Sequence, residues 1–378
     1  MGERLRSMEG LVRMHWQGKR VFLTGHTGFK GSWLSLWLQQ LGADLCGFSL
    51  GPPTNPNLFE AACIARQMKS LTGDIRDLAA LSLAMVEHRP EIVIHLAAQP
   101  LVRQSYEDPI ETYSTNVMGT VNVLEAVRRT DSVRAVVVIT TDKCYENVNW
   151  EWAYREIDRL GGHDPYSNSK ACAELVVSAF RDSYFHPERY SQHGVAIAST
   201  RAGNVIGGGD WADDRLVPDI MRALLSNEYV RIRNPHAIRP WQHVLEPLRG
   251  YLKLCECLYE IGPGYGEAWN FGPEYSDAAP VLKIVECIGE MWGKGARWKV
   301  DEGEHPHEAQ MLKLEWSKAA ARLKWRPALT LRNALRMTTD WYRAWANNAE
   351  MRRFTEEQLE AYRSIVEQDA VAAGAGVN

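Results

Sequence analysis

Val21-Phe22-Leu23-Thr24 is a short apolar run that stops at Gly25, and after it Trp33, Leu34, Trp37, Leu38 and Leu41 recur at helical spacing. The same alternation continues through the first half of the chain. Ala43 to Phe48 predicts a second strand, and Ile92-Val93-Ile94-His95-Leu96 a buried one. A long helix is predicted from about Pro109 to Arg129, with Val117, Val121, Leu124 and Val127 along one side. Ala135-Val136-Val137-Val138-Ile139 gives apolar, mostly β-branched residues running up to Thr140-Thr141-Asp142. A helix opening near Tyr166 follows, then a strand from Val195 to Thr200. Strands apolar on both faces, alternating with helices, predict an α/β fold: a Rossmann-type, doubly wound parallel sheet covered on both sides.

Beyond about Gly203 the rhythm breaks. Gly207-Gly208-Gly209 and scattered prolines separate helical stretches at 216–225, 244–261 and 280–292. The pattern predicts a smaller α/β domain interleaved with the last sheet elements. The expected division is a dinucleotide-binding domain over 19–203 plus about 243–272, and a substrate domain over 204–242 and 273–345. Residues 346–378, polar and then rich in alanine and glycine, are expected to form a helix and a frayed tail.

The 378 residues are 45% hydrophobic, enough for a large core. A net charge of -4 and a pI near 6.3 give no basic surface for nucleic acid or an anionic membrane. No apolar run approaches the roughly 18 residues a membrane helix needs. Residues 1–18 contain arginines but no apolar signal core, and Arg6 stands where a myristoylation motif wants Ser or Thr. Among seven cysteines only Cys255 and Cys257 are close in sequence, with no second pair or histidine cluster. Reduced thiols in a cytoplasmic protein without a metal site are expected.

Candidate chemistry begins at Thr24-Gly25-His26-Thr27-Gly28-Phe29-Lys30-Gly31, between a predicted strand and a predicted helix. The first glycine lets the chain turn, the second admits a pyrophosphate to backbone N–H groups, and the third lets helix pack on strand. At the end of the second strand, Gly47-Phe48-Ser49-Leu50 offers neither the usual acid nor an arginine for a 2′-phosphate. Ser49 can bind a ribose hydroxyl, which favours NAD over NADP. Asp74-Ile75 can close the adenine pocket, though Asp74 also reads as an ordinary turn cap. Downstream, Tyr166-Ser167-Asn168-Ser169-Lys170 puts a phenol and an ammonium on one helix face. The ammonium can favour phenolate and bring the tyrosine toward neutrality, giving a base suited to oxidising an alcohol. Tyr-x-x-x-Lys alone arises by chance on many helices; the glycine turn ahead of it gives it weight.

Together with His95-Leu96-Ala97-Ala98 and Asn116, these motifs resemble the extended short-chain dehydrogenase/reductase superfamily over roughly residues 19–345. Within it the chain looks most like the nucleotide-sugar 4,6-dehydratases, and specifically their CDP-glucose branch. The strings carrying that likeness are 21–33, Thr140-Thr141-Asp142-Lys143-Cys144-Tyr145-Glu146-Asn147 and Arg239-Pro240-Trp241-Gln242-His243-Val244. The resemblance implies NAD held at Gly25, Thr27, Gly28, Phe29, Gly31, Ser49, Asp74, Ile75, Leu96, Ala97, Ala98, Asn116, Tyr166 and Lys170. It implies Tyr166 as base at the hexose 4-hydroxyl, Thr141 on the reacting oxygen and Asp142 as acid at the 6-hydroxyl. CDP-glucose is the implied substrate, met by Asn204, Arg239 and Trp241, with Arg215 and Arg231 weaker candidates. Arg239 beside a proline could also be a surface ion pair.

The dTDP-glucose branch has Thr-Asp-Glu where this chain has Thr141-Asp142-Lys143, and there the Glu removes the C5 proton. Here Lys143 acts as a neutral amine, or it holds Asp142 or stabilises a C5 enolate while another group moves the proton. After Ala98 the chain reads Gln99-Pro100-Leu101, so that branch's sugar contacts from this loop do not carry over. His305-Pro306-His307-Glu308 is expected near the ligand, with no role assigned. A homodimer through the helices near 109–129 and 166–184 is implied. Rival readings are a 4-epimerase or decarboxylase using the same oxidation, against which Asp142 argues, and a non-catalytic NAD(H)-sensing regulator, against which Tyr166 and Lys170 argue.

Overall fold

A computed structural model describes residues 16–293, 296–301, 303 and 311–375. The apolar runs become β1 (Arg20–Thr24), β2 (Asp44–Ser49), β4 (Ile92–His95), β5 (Ala135–Ile139) and β6 (Ala196–Ala202), and a polar segment the sequence did not mark, β3 (Lys69–Thr72), joins them. A late strand, β7 (Ala268–Phe271), completes a seven-stranded sheet in the order β7-β6-β5-β4-β1-β2-β3. Every pairing in it is parallel. Direction in the chain order reverses between β1 and β4, the place where doubly wound sheets open a ligand crevice.

Alternate side chains serve opposite faces, which is why the central strands read as unbroken apolar runs. Val21, Leu23, Val137 and Ile139 join Trp33, Leu34 and Trp37 of α1 (Phe29–Gln40) in one buried cluster. Phe22, Val93, Val136 and Val138 pack on the other face. There they meet Leu81 and Met85 of α2 (Leu78–His88) and Val123, Leu124 and Val127 of α3 (Gly119–Arg128). Val177 of α4 (Pro165–Ser183) closes that layer.

The helix expected from about Pro109 to Arg129 is not a single regular one. A turn of helix at Pro109–Tyr113 passes through a π-helical turn, Ser114–Met118, before α3 begins. Asn116 lies in that turn with its side chain bonded out to Gln99 and Ser169, a common reason for an extra residue to be accommodated in a helix.

After β6 the chain leaves the sheet. α5 (Leu216–Ser226) follows, and three two-stranded pairs form: 205–206 with 242–243, 230–232 with 298–300, and 238–240 with 278–280. Between these excursions α6 (Leu245–Glu260) and β7 return to the main sheet, whose core α6 joins through Leu245, Leu248 and Tyr251. α7 (Val281–Trp292) and α8 (Leu331–Ala346) flank the smaller half. α9 (Met351–Ala375) buries Met351, Thr355, Leu359 and Tyr362. Among the described residues no helix is long and apolar enough to cross a membrane, and no group of residues could hold a metal ion. All seven cysteines are unpaired.

Candidate active site

Parallel strands deliver their carboxyl ends to one edge, and the glycine turn sits there, directly after β1. Gly25 has φ +75°, and a side-chain carbon on it would meet the Ala97 nitrogen at 2.6 Å. One on Gly31 would meet the Gly25 carbonyl oxygen at 2.0 Å, so turn and helix touch backbone to backbone. Over Gly28 the one atom within 4 Å is that same oxygen, at an ordinary contact distance of 3.4 Å, so the position is the least crowded of the three. Gly28 is also the N-cap of α1, with no side-chain cap and no acid in the first turn. Free N–H groups, the helix dipole and this uncrowded position together suit a pyrophosphate.

The neighbouring side chains are mostly engaged with one another. Thr27 Oγ1 lies 2.8 Å from Ser49 Oγ and 2.9 Å from the Leu50 carbonyl oxygen. Ser49 Oγ in turn lies 3.2 Å from His26 Nδ1, while His26 Nε2 meets Ser70 Oγ at 2.7 Å. Burial lowers His26 to about 4, so its ring is neutral. Asp74 accepts from the Arg76 backbone N at 2.8 Å and from its guanidinium, so it caps its own turn, while Ile75 is buried beneath Gly119. Leu96, Ala97 and Ala98 are half-buried at the end of β4, against Thr24. Asn116 is 1% exposed; its amide donates to the Gln99 carbonyl and Ser169 Oγ and accepts from Gln99 N. It thus ties the loop after β4 to α4.

Beside this crevice lies a cleft of about 370 Å³. Thr141, Asp142 and Lys143 enter it from the end of β5, and Tyr166 from the first turn of α4. Asn204, Arg215, Arg239 and Trp241 line the opposite half with Arg231. Phe29 also faces it, whereas Ser49, Asp74, Asn116 and Lys170 do not line it. The 305–308 stretch lies outside the described residues.

Local folding sets each reacting group. Asp164 caps α4, accepting from Ser167 N at 2.9 Å, and Pro165 opens the helix. Tyr166 follows directly, its own N–H donated to Ser105 Oγ. Thr141 caps the turn Asp142–Cys144 and donates to Asp142 Oδ1 at 3.0 Å. Asp142 is 2% exposed, and its Oδ2 is buried without a hydrogen-bond partner. Burial raises its pKa, opposed by Lys143, Thr141, Arg239 and Lys30. A carboxyl so placed can carry a proton and give it up to a group entering the cleft.

The phenol departs from expectation. Burial pushes Tyr166 up to about 12, against hydrogen bonding to Thr141 and the charge of Arg215. Lys170 is lowered to about 8 by burial, and its Nζ lies 3.4 Å from the Ile139 carbonyl oxygen. The chain's own charges therefore leave the tyrosine protonated, because desolvation outweighs them. Lys143 Nζ stands 5.9 Å from the centre of the Tyr166 ring, alongside the acid–phenol pair.

Lys30 was not among the residues singled out by the sequence. It sits between Gly28 and Gly31, where the spacing points only to backbone, yet its side chain lines the cleft. Burial and the charges of Arg215 and Lys170 lower it to about 8, while Asp142 and Asp210 pull the other way.

The GDP-mannose 4,6 dehydratase family model matches residues 22–338. A CDP-glucose 4,6-dehydratase of Salmonella typhimurium is 56% identical over 92% of this chain and 97% of that protein. Among solved structures, an epimerase from Methanothermobacter thermautotrophicus superposes with a TM-score of 0.75 at 22% identity, over 90% of this chain and 96% of the other. A dTDP-glucose 4,6-dehydratase double mutant from Streptomyces venezuelae, with NAD and DAU bound, gives 0.73 at 22% identity over 88% and 99%. The structural likenesses establish the fold; with the family model covering most of the sequence, the chain belongs to the GDP-mannose 4,6 dehydratase family of the extended short-chain dehydrogenase/reductase superfamily.

Proposed function

We propose that this protein converts CDP-glucose to CDP-4-keto-6-deoxyglucose and water with NAD as a bound cofactor. The observation that carries the reading is the phenol of Tyr166 and the partnerless carboxyl oxygen of Asp142 facing one cleft. The high identity to a CDP-glucose 4,6-dehydratase supports the choice of nucleotide.

The glycine turn, Thr27, Phe29 and the ends of β2 and β4 would hold NAD, with Asn116 bracing the loop behind it. NAD, when bound, would supply a hydride acceptor for C4 of the hexose and the hydride that returns to C6. Tyr166, its phenolate favoured by Thr141 and the charge of Arg215, takes the 4-hydroxyl proton, and Thr141 hydrogen-bonds the reacting oxygen. The 4-ketone acidifies C5–H, which is why oxidation precedes elimination. As the C5 proton leaves, Asp142 protonates the 6-hydroxyl and water departs. Lys143 serves the C5 step, as a neutral amine or as a cation beside the enolate. Arg239 and Arg215 meet the diphosphate, where planar guanidinium groups can make paired bonds. Asn204 and Trp241 contact the rest of the nucleotide sugar.

A homodimer through α4 and the helix leading into α3 fits the exposure of Ile110 (80%), Met118 (53%) and Leu175 (59%) on those segments. Incubation with CDP-glucose and NAD should give the alkali-induced absorbance of a 4-keto-6-deoxy sugar. Formation of CDP-galactose alone would replace dehydration with 4-epimerisation.

A further inference from the structure

One buried ion pair among the described residues lines neither the cleft nor the glycine turn. Glu174, one helical turn after Lys170 on α4, is 4% exposed and pairs with Arg201 of β6, 3% exposed, at 2.9 Å. Its other bonds reach Thr140 Oγ1 at 2.5 Å and Ser199 Oγ at 2.6 Å. Arg201 donates onward to the Tyr145 hydroxyl at 2.8 Å, and that hydroxyl donates to Asn270 Oδ1 at 2.8 Å.

Thr140 is the residue just before Thr141-Asp142-Lys143, and Tyr145 follows Cys144, the last residue of the same turn. One ion pair therefore grips the turn at both ends. A buried pair between helix and strand is costly to desolvate, and removing either partner leaves the other charge buried and uncompensated.

Building on the dehydratase reading, we infer that Glu174 and Arg201 are positioning residues whose bonds to Thr140 and Tyr145 hold Asp142 and Lys143 in register for loss of water. Tyr166 and Lys170 stand on α4 with Glu174, and Thr141 adjoins the Thr140 end of the grip, which Glu174 holds directly, whereas Tyr145 is the far end. Weakening the grip at Tyr145 should thus slow elimination more than oxidation.

Tyr145→Phe separates the two, since it removes the hydroxyl bonded to Arg201 and Asn270 and leaves the Glu174–Arg201 pair in place. With CDP-glucose and NAD, reduced nicotinamide should build up as a near-ultraviolet signal that the wild type does not accumulate. Formation of 4-keto-6-deoxy product should fall about 100-fold, the usual consequence of a misplacement near 1 Å, with KM unchanged. Equal slowing of both signals, or unchanged product formation, would overturn the inference. A crystal structure of the variant supplies a readout independent of turnover: a displaced Asp142 supports the inference, and an unmoved turn rejects it. Should the wild type form no such product, the functional reading fails by itself, and the structure of the variant still decides whether the pair positions the turn. Arg201→Lys, which keeps the charge but loses the second donor arm, provides the same comparison if Tyr145→Phe does not fold.

Discussion

At the scale of single residues, burial sets the proton inventory of the cleft. Asp142 is raised, Lys170 is lowered to about 8 and Tyr166 is pushed up to about 12. If catalysis needs the Lys170 ammonium, activity should fall as pH rises through about 8, because the amine is charged below that value and neutral above it. Lys170→Arg should move that falling limb to higher pH, read from kcat/KM against pH; an unmoved limb would assign it to another group, Lys30 first among them. Lys143→Glu should impair elimination more than hexose oxidation, because it exchanges a cation for an anion beside Asp142. Matched losses in both half-reactions would rule out a role confined to C5. Tyr166 and Asp142 were legible in the sequence because their residue types and order carry chemistry. Lys30 and Glu174 were not: one is hidden among glycines read for their backbone, and the other looks like any polar helix residue until β6 supplies its arginine.

At the scale of elements, the glycine turn is where sequence and fold agree most closely. Three glycines at fixed spacing predicted a close helix–strand approach, and the contact at Gly31 is backbone on backbone. Gly31→Ala would put a methyl carbon 2.0 Å from the Gly25 carbonyl oxygen, a collision that no flexible side chain can relieve. The turn must then open, at a cost typical of overpacking, about 1–3 kcal/mol. The expected outcome is weaker NAD binding by calorimetry together with a lower midpoint in chemical denaturation; unchanged affinity would remove the turn from the cofactor site. The helix before α3 was less legible. Its apolar spacing runs on regularly, whereas the π-helical turn coincides with Asn116 bonding to Gln99 and Ser169, partners that only the fold brings near.

At the scale of the whole molecule, local pattern gives way to long-range pairing. The parallel sheet could be read because its central strands β1, β4 and β5 are apolar runs, whereas β3, polar and mostly exposed, is defined by its pairing with β2. α9 shows the same limit: Met351, Thr355, Leu359 and Tyr362 recur at helical spacing, and Phe354, Ile365 and Val366 pack partly against the core, but the fold alone shows what they meet. What fastens it is a buried carboxylate. Glu246 of α6 accepts from Ala328 N at 2.9 Å, Leu329 N at 2.7 Å and the Tyr362 hydroxyl at 2.9 Å. Arg249 Nε donates to that same hydroxyl at 2.9 Å. Tyr362→Phe keeps the ring in the core and removes only the hydroxyl, leaving a buried carboxylate oxygen and a guanidinium short of a partner. Stability should fall by about 1–3 kcal/mol in urea denaturation. Because Tyr362 lies outside the residues lining the cleft, turnover per folded molecule should not change. A loss of turnover at full folding would mean that the docking of α9 reaches the cleft through α8, whose Tyr342 donates its hydroxyl to the carbonyl of Asp210, the residue that holds Arg215 at 2.8 Å.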